Sequence, residues 1–245
     1  MSELLPDFET DDPTGVVLAG GYSRRFGDRD KALARLGGRA LLARVVGRLG
    51  EVADRVVVNC RADQRAAFAD ALAADDSAAD DSAERFDATS VPVEFVADPV
   101  ADRGPLYGFR AALGAVESET CLLAACDAPF LDPRLLADLA ERVVRGERDA
   151  AAVLADQRPV PTQAAYRTAP TEEACDALLD ADVARLAALF DRLDARAVPA
   201  AEVAGDAERS LFDVDTPADH GRAARLLRDG GDGSRVGGRE VTRPR

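Results

Sequence analysis

A chain of 245 residues with 47% hydrophobic content can bury one sizeable α/β core or two small ones. Its formal net charge of −14 repels nucleic acid and anionic membrane surfaces, so neither is an expected partner. No run of about 18 apolar residues occurs, and the acidic start MSELLPDFETDDPTG lacks a basic and apolar leader, so a reduced, cytoplasmic protein is expected.

Residues 1–13 read as an acidic tail. GVVLA (15–19) is a strand, followed by the loop LAGGYSRRFGDRDK. Gly20 and Gly21 end that strand, where bare backbone can approach a ligand and expose N–H donors. Ser23, Arg24 and Arg25 add donors and positive charge, and Lys31 closes the loop. Lys31 is the only lysine in the chain; every other basic side chain apart from His220 is arginine. A phosphate chain fits this chemistry. The spacing is neither the G-x-x-x-x-G-K-[ST] of P-loop enzymes nor the G-x-G-x-x-G of dinucleotide-binding folds.

ALLARVVGRLG (40–50) has helical periodicity and stops at Gly50. RVVVN (55–59) is a strand ending in Asn59, which can read a nucleoside or simply turn the chain. Residues 75–90 are a low-complexity acidic insertion. VEFVA (93–97) is a strand with Asp98 at its end, and YGFRAALGAV (107–116) is a helix entered through Gly104-Pro105. CLLAAC (121–126) has no alternation, as expected of a strand buried on both faces, and Asp127 follows it. DPRLLADLAERVVR (132–145) is a helix with Asp132 as N-cap and Pro133 in its first turn. AAAVLA (150–155) and TQAAYR (162–167) are strands; 171–193 holds one or two helices and 217–229 the last. Residues 229–245 are a Gly/Arg tail.

This alternation predicts an α/β fold, a Rossmann-like, doubly wound and mostly parallel sheet, with its ligand site beyond the strands' C-terminal ends. Asp98 and Asp127 both fall at that edge, facing the cationic loop. Two carboxylates there suggest a Mg²⁺ bridge completed by phosphate and water; Asp102, Asp213 and Asp215 are lesser candidates. The four cysteines form no C-x-x-C pair, so a zinc site is not expected, and Cys121 and Cys126 read as small buried hydrophobes. His220, the one histidine, reads as structural or exposed.

LAGGYSRRFGDRDKAL resembles the signature L-A-G-G-x-S-R-R-M-G-x-D-K of the molybdenum cofactor guanylyltransferases. The likeness continues through VVVNCRADQ, ADPVADRGPLYGFRAAL, CDAPFLDPRLLADL and FDVDTPADH, over residues 14–228. It implies a nucleotidyltransferase domain of the nucleotide-diphospho-sugar transferase type. The implied reaction joins GMP from GTP to molybdopterin, with Mg²⁺ as cofactor and pyrophosphate released. Leu18, Ala19, Gly20 and Gly21 would hold guanine and phosphates; Arg25 and Lys31 the phosphate chain; Asn59 the nucleoside. Asp98 and Asp127 would serve nucleotide and metal, Asp127 the firmer metal ligand. Transient contact with molybdenum cofactor-handling proteins is a further implication. Phe26 replaces the signature Met, Asp28 and Arg29 lengthen the loop, and Asp213 and Asp215 stand where the family carries asparagines. Cytidylyl relatives more often read L-A-A-G, and Gly20 would leave room for a larger purine. A nucleotidyltransferase for cobinamide phosphate or a sugar phosphate, and a non-catalytic nucleotide-binding protein, are the competing readings. Acidity combined with arginine in place of lysine further suggests a high-salt cytoplasm, with stability rising toward molar KCl.

Overall fold

The computed structural model describes residues 12–23, 25–27, 30–75, 91–98, 102–146 and 148–230. The expected acidic tail up to residue 11, nearly all of the 75–90 insertion, the terminal tail from 231 and Arg24 lie outside the described residues.

The chain opens with β1 (Thr14–Leu18) and a single 3₁₀ turn at Lys31–Leu33. A small hairpin, β2 (Arg35–Leu36) and β3 (Arg39–Ala40), leads into α1 (Leu41–Leu49). There follow β4 (Arg55–Cys60), α2 (Arg65–Asp75), β5 (Val93–Ala97), α3 (Pro105–Leu113) and β6 (Thr120–Ala125). The second half runs α4 (Pro133–Arg145), β7 (Ala150–Ala155), β8 (Arg158–Arg167), α5 (Thr168–Asp180), β9 (Ala195–Pro199), α6 (Ala207–Ser210) and α7 (Pro217–Gly230).

Seven strands form one sheet in the order β5-β4-β1-β6-β8-β7-β9. β1 runs parallel to both β4 and β6, and β4 is parallel to β5. β8 runs against both its neighbours. The reversal comes from Asp156 and Gln157, which take φ values of 47° and 62° and turn β7 straight back as a two-residue hairpin. Pro159 and Pro161 make residues 158–161 read as loop in sequence, yet β8 begins at Arg158. The sheet is thus mostly parallel, as expected, with one strand entering from the opposite direction.

Burial explains why the central strands carry no polar alternation. Val17, Val58, Leu122 and Ala124 pack toward one face beneath residues of α1, α2 and α4. Val16, Val57, Cys121 and Leu123 pack toward the other with Leu106 and Phe109 of α3 and Cys175 of α5. Cys121 and Cys126 are buried and unpaired, as are Cys60 and Cys175. α2 and β9 are elements that the sequence reading left unmarked. α2 buries only Phe68 and Leu72 among its described side chains, too thin a stripe to stand out in an Ala- and Asp-rich run.

Between β1 and β6 the strand order changes direction: the chain leaves β1 toward β4 and β5, then crosses to β6. In open sheets that switch point opens a crevice beyond the strand C-termini. No helix among the described residues is long and apolar enough to cross a membrane.

Candidate active site

The backbone pairing of the parallel strands continues one residue past their ends. Ala19 N donates to Asn59 O at 2.9 Å, Asp98 N to Cys60 O at 2.8 Å and Cys126 N to Leu18 O at 3.1 Å. The chain therefore leaves all four strands at one level, and the loops after β1, β4, β5 and β6 share a cleft of about 470 Å³. Leu18, Gly20, Gly21, Arg25, Lys31, Asn59, Asp98 and Asp127 all line it. Ala19 does not: it is 3% exposed, and its N–H is held by Asn59. Its side chain packs into the core below the loop.

Asn59 and Asp98 form one unit. Asn59 Nδ2 donates to Asp98 Oδ1 at 2.8 Å and more weakly to Val96 O at 3.4 Å. Gly20 and Gly108 close on this pair from β1 and α3. A Cβ at Gly20 would overlap Asp98 Oδ2, and one at Gly108 would overlap Asn59 Oδ1 and lie 2.9 Å from Asp98 Oδ1. The place a Cβ would take at Gly20 is thus occupied by the Asp98 carboxylate. Beside Gly21 the space is open.

Lys31 begins its 3₁₀ turn beside Asp30, whose Oδ1 accepts from Ala32 N at 3.1 Å and fixes the start. Ser23 adopts a left-handed backbone with φ of 51°, unusual for a residue with a side chain, and its Oγ accepts from Lys31 N at 3.1 Å. The Lys31 ammonium is ion-paired with Asp127 Oδ2 and donates to Asp215 Oδ1 at 3.0 Å. Burial alone would lower its pKa; the charges and hydrogen bonds of Asp127 and Asp215 outweigh that and raise it above the lysine range. Arg25, largely exposed, reaches Asp215 Oδ2 at 3.2 Å.

Asp213 and Asp215 arrive from a distant part of the chain. Val214 N donates to Asp127 O at 2.9 Å, which seats the segment on the β6 loop. Thr216 and Asp219 then cap each other's N–H groups at 3.0 and 3.2 Å and start α7. The Asp213 carboxyl is pushed up to about 7, first by partial loss of hydration and then by the charges of Asp127 and Asp215, while the residue as a whole stays exposed. Asp127 Oδ1 is buried and has no hydrogen-bond partner. A surplus of negative charge with an orphaned carboxylate oxygen fits a divalent cation. Among the described residues no group of three or more His, Cys, Asp or Glu side chains could hold a metal unaided, so the fit requires oxygens from a ligand and water.

Several lining residues carried no role in the sequence reading: Tyr22, Arg103 and Thr162. Thr162 belongs to β8, whose reversed direction brings it beside the C-terminal end of β6, with Gln163 opposite Ala124. A search confined to the ends of parallel strands misses it. His220 does not line the cleft: its Nε2 lies 3.0 Å from Arg35 O and its ring meets Phe26 edge-on.

Residues 15–197 match the MobA-like NTP transferase domain family. A protein of Natronomonas pharaonis named "Probable molybdenum cofactor guanylyltransferase" is 39% identical over 215 residues, spanning 87% of this chain and 98% of that protein. A protein of Rhodopseudomonas palustris named "Molybdenum cofactor guanylyltransferase" is 32% identical over 87% of this chain and 94% of its own. In fold, the chain resembles molybdopterin-guanine dinucleotide biosynthesis protein A from Archaeoglobus fulgidus, with a TM-score of 0.68, 24% identity and coverage of 88% and 99% of the two chains. With the fold, the glycine loop and a match over most of its length in agreement, the chain belongs to the MobA-like NTP transferase family.

Proposed function

We propose that this cleft transfers GMP from GTP to the terminal phosphate of molybdopterin, forming the guanine dinucleotide cofactor. The observation that carries the reading is the meeting of the chain's one lysine with Asp127 at the β1–β6 switch point, beside the half-buried Gly20 and the exposed Gly21. The names of the relatives support the choice of donor and acceptor.

An oxygen of the acceptor phosphate forms a bond to the α-phosphorus of GTP as the bond to the bridging oxygen breaks, and pyrophosphate leaves on the far side. Both reactants are anions, so positioning and charge neutralisation are the protein's task. Lys31 and Arg25 would neutralise the phosphate chain, exchanging their carboxylate partners for phosphate oxygens. The N–H groups near Gly20 and Gly21 would orient those oxygens, and the Asn59–Asp98 unit would lie against the nucleoside. Asp127, with Asp98 as the second candidate, would hold Mg²⁺. Bound there, Mg²⁺ supplies charge stabilisation at the α-phosphate and its leaving group. An acceptor phosphate is already ionised near neutral pH, so no general base is needed, which suits a site without histidine.

The test offers each NTP with Mg²⁺, in combination with molybdopterin, cobinamide phosphate or a sugar phosphate, and measures pyrophosphate release. Release confined to GTP with molybdopterin is expected. Preference for another nucleotide or acceptor would replace this reading with a different transferase, and no release with any pair would leave a binding protein. Asp127→Asn should abolish the Mg²⁺-dependent rate; an unaltered Mg²⁺ titration would reject it as a ligand.

A further inference from the structure

The turn that follows β4 has no role in the reaction as described, yet it grips the glycine loop at both ends. Arg61 Nη1 donates to Gly20 O at 3.2 Å and to Gly21 O at 2.9 Å, and its guanidinium lies 4.4 Å from the centre of the Tyr22 ring. One side chain thus holds three consecutive residues. Asp63 steadies the other edge of the fork through Nε at 3.2 Å and Nη2 at 3.3 Å. Gln64, only 4% exposed, accepts from Arg61 N at 2.8 Å and donates through Nε2 to Asp30. Asp30 in turn fixes the turn that begins at Lys31. Neither Arg61 nor Gln64 lines the cleft.

The physical effect follows from the planar trans peptide. Holding the carbonyls of Gly20 and Gly21 on one side fixes the N–H groups of Gly21 and Tyr22 on the other, and both residues line the cleft. Two adjacent glycines are the most mobile backbone a chain can offer. Fixing them before a ligand arrives removes that ordering cost from binding. The charge of Arg61 is matched by Asp63, so attraction of phosphate at a distance is not its main use.

We propose that Arg61 and Gln64 are positioning residues for the transfer: they preset Gly20, Gly21, Tyr22 and the turn at Lys31 for the phosphates of the nucleotide without contacting them. This rests on the reading of the cleft as a nucleotide site, and the test separates the two claims. Amide hydrogen exchange is followed in the ligand-free chain for wild type, Arg61→Ala, Arg61→Lys and Gln64→Leu. Exchange in peptides covering residues 19–33 should accelerate about tenfold, with α4 and α5 unchanged. Steady-state kinetics should show the KM for GTP raised at least about fivefold in Arg61→Lys with a smaller change in kcat, the mark of lost uniform binding. Lysine keeps the charge but cannot grip two carbonyls and stack on Tyr22 together. Unaltered exchange over 19–33, acceleration spread through the whole chain, or a wild-type KM in Arg61→Lys would each overturn the proposal. If wild type fails to turn over GTP, the functional reading falls, and the exchange result alone decides the positioning claim.

Discussion

Lys31 is where residue chemistry is most demanding. It stands in a chain that otherwise uses arginine for its strong cations, and it is wedged between Asp127 and Asp215. A compact ammonium on a flexible stem can exchange those carboxylates for phosphate oxygens; a broad guanidinium fork aims differently. Lys31→Ala should lower turnover about a hundredfold or more, and Lys31→Arg should also be damaging, as measured by initial rates at saturating GTP. The sequence alone suggests little loss of stability. The ion pair alters that, because the lysine side chain is only 16% exposed and its removal leaves Asp127 without its partner. Lys31→Ala should therefore also lower the unfolding free energy by about 1–2 kcal/mol in a denaturant titration. Much of this site is legible from residue type and position. The lone lysine, the paired glycines and an Asp after each of two strands require only the local sequence. Arg61, Gln64 and the seat of Asp213 and Asp215 are not legible, because long-range contacts define them and RADQ is an ordinary polar turn when read alone.

At the scale of elements, α3 shows a site overriding local propensity. Alanine is favoured over glycine by about 1 kcal/mol inside a helix, yet Gly108 lets the helix close on Asn59 and Asp98. Gly108→Ala should weaken GTP binding by tenfold or more in a titration, roughly the 1.4 kcal/mol that a tenfold change represents, while far-UV circular dichroism stays unchanged. α4 depends on its cap. Asp132 Oδ1 accepts from Arg134 N at 2.9 Å and its Oδ2 from Asp206 N at 2.8 Å, tying α6 to the same helix start. Burial alone would raise its pKa; the bonds from Arg134 and Asp206 outweigh that and hold it below the usual carboxylate value. A depressed carboxylate stabilises the fold above its unfolded pKa near 4 and loses that contribution as pH falls through the folded value. Asp132→Ala should thus cost about 1–2 kcal/mol at pH 7 and progressively less below pH ~4, where wild type loses the same charge. Strongly periodic helices and the apolar central strands are readable from pattern. β8 is misread at its start because two prolines resemble a loop, and β9 and α2 go unmarked because their apolar residues are too few.

For the whole molecule, a net charge of −14 creates a field against which a polyphosphate must be captured locally. Added salt screens that self-repulsion within a Debye length of roughly 10 Å at 0.1 M. We propose that the chain is adapted to high salt, so its melting temperature should rise between low and molar KCl; equal stability in both would reject the adaptation. The loops of four strands and the start of α7 meet in one cleft, and its chemistry is decided by giving wild-type protein, Mg²⁺ and molybdopterin either α-labelled or γ-labelled GTP. Transfer of GMP should leave α-label in the pterin product and γ-label in pyrophosphate. Absence of α-label from the acceptor, or its transfer only from a nucleotide other than GTP, would contradict it.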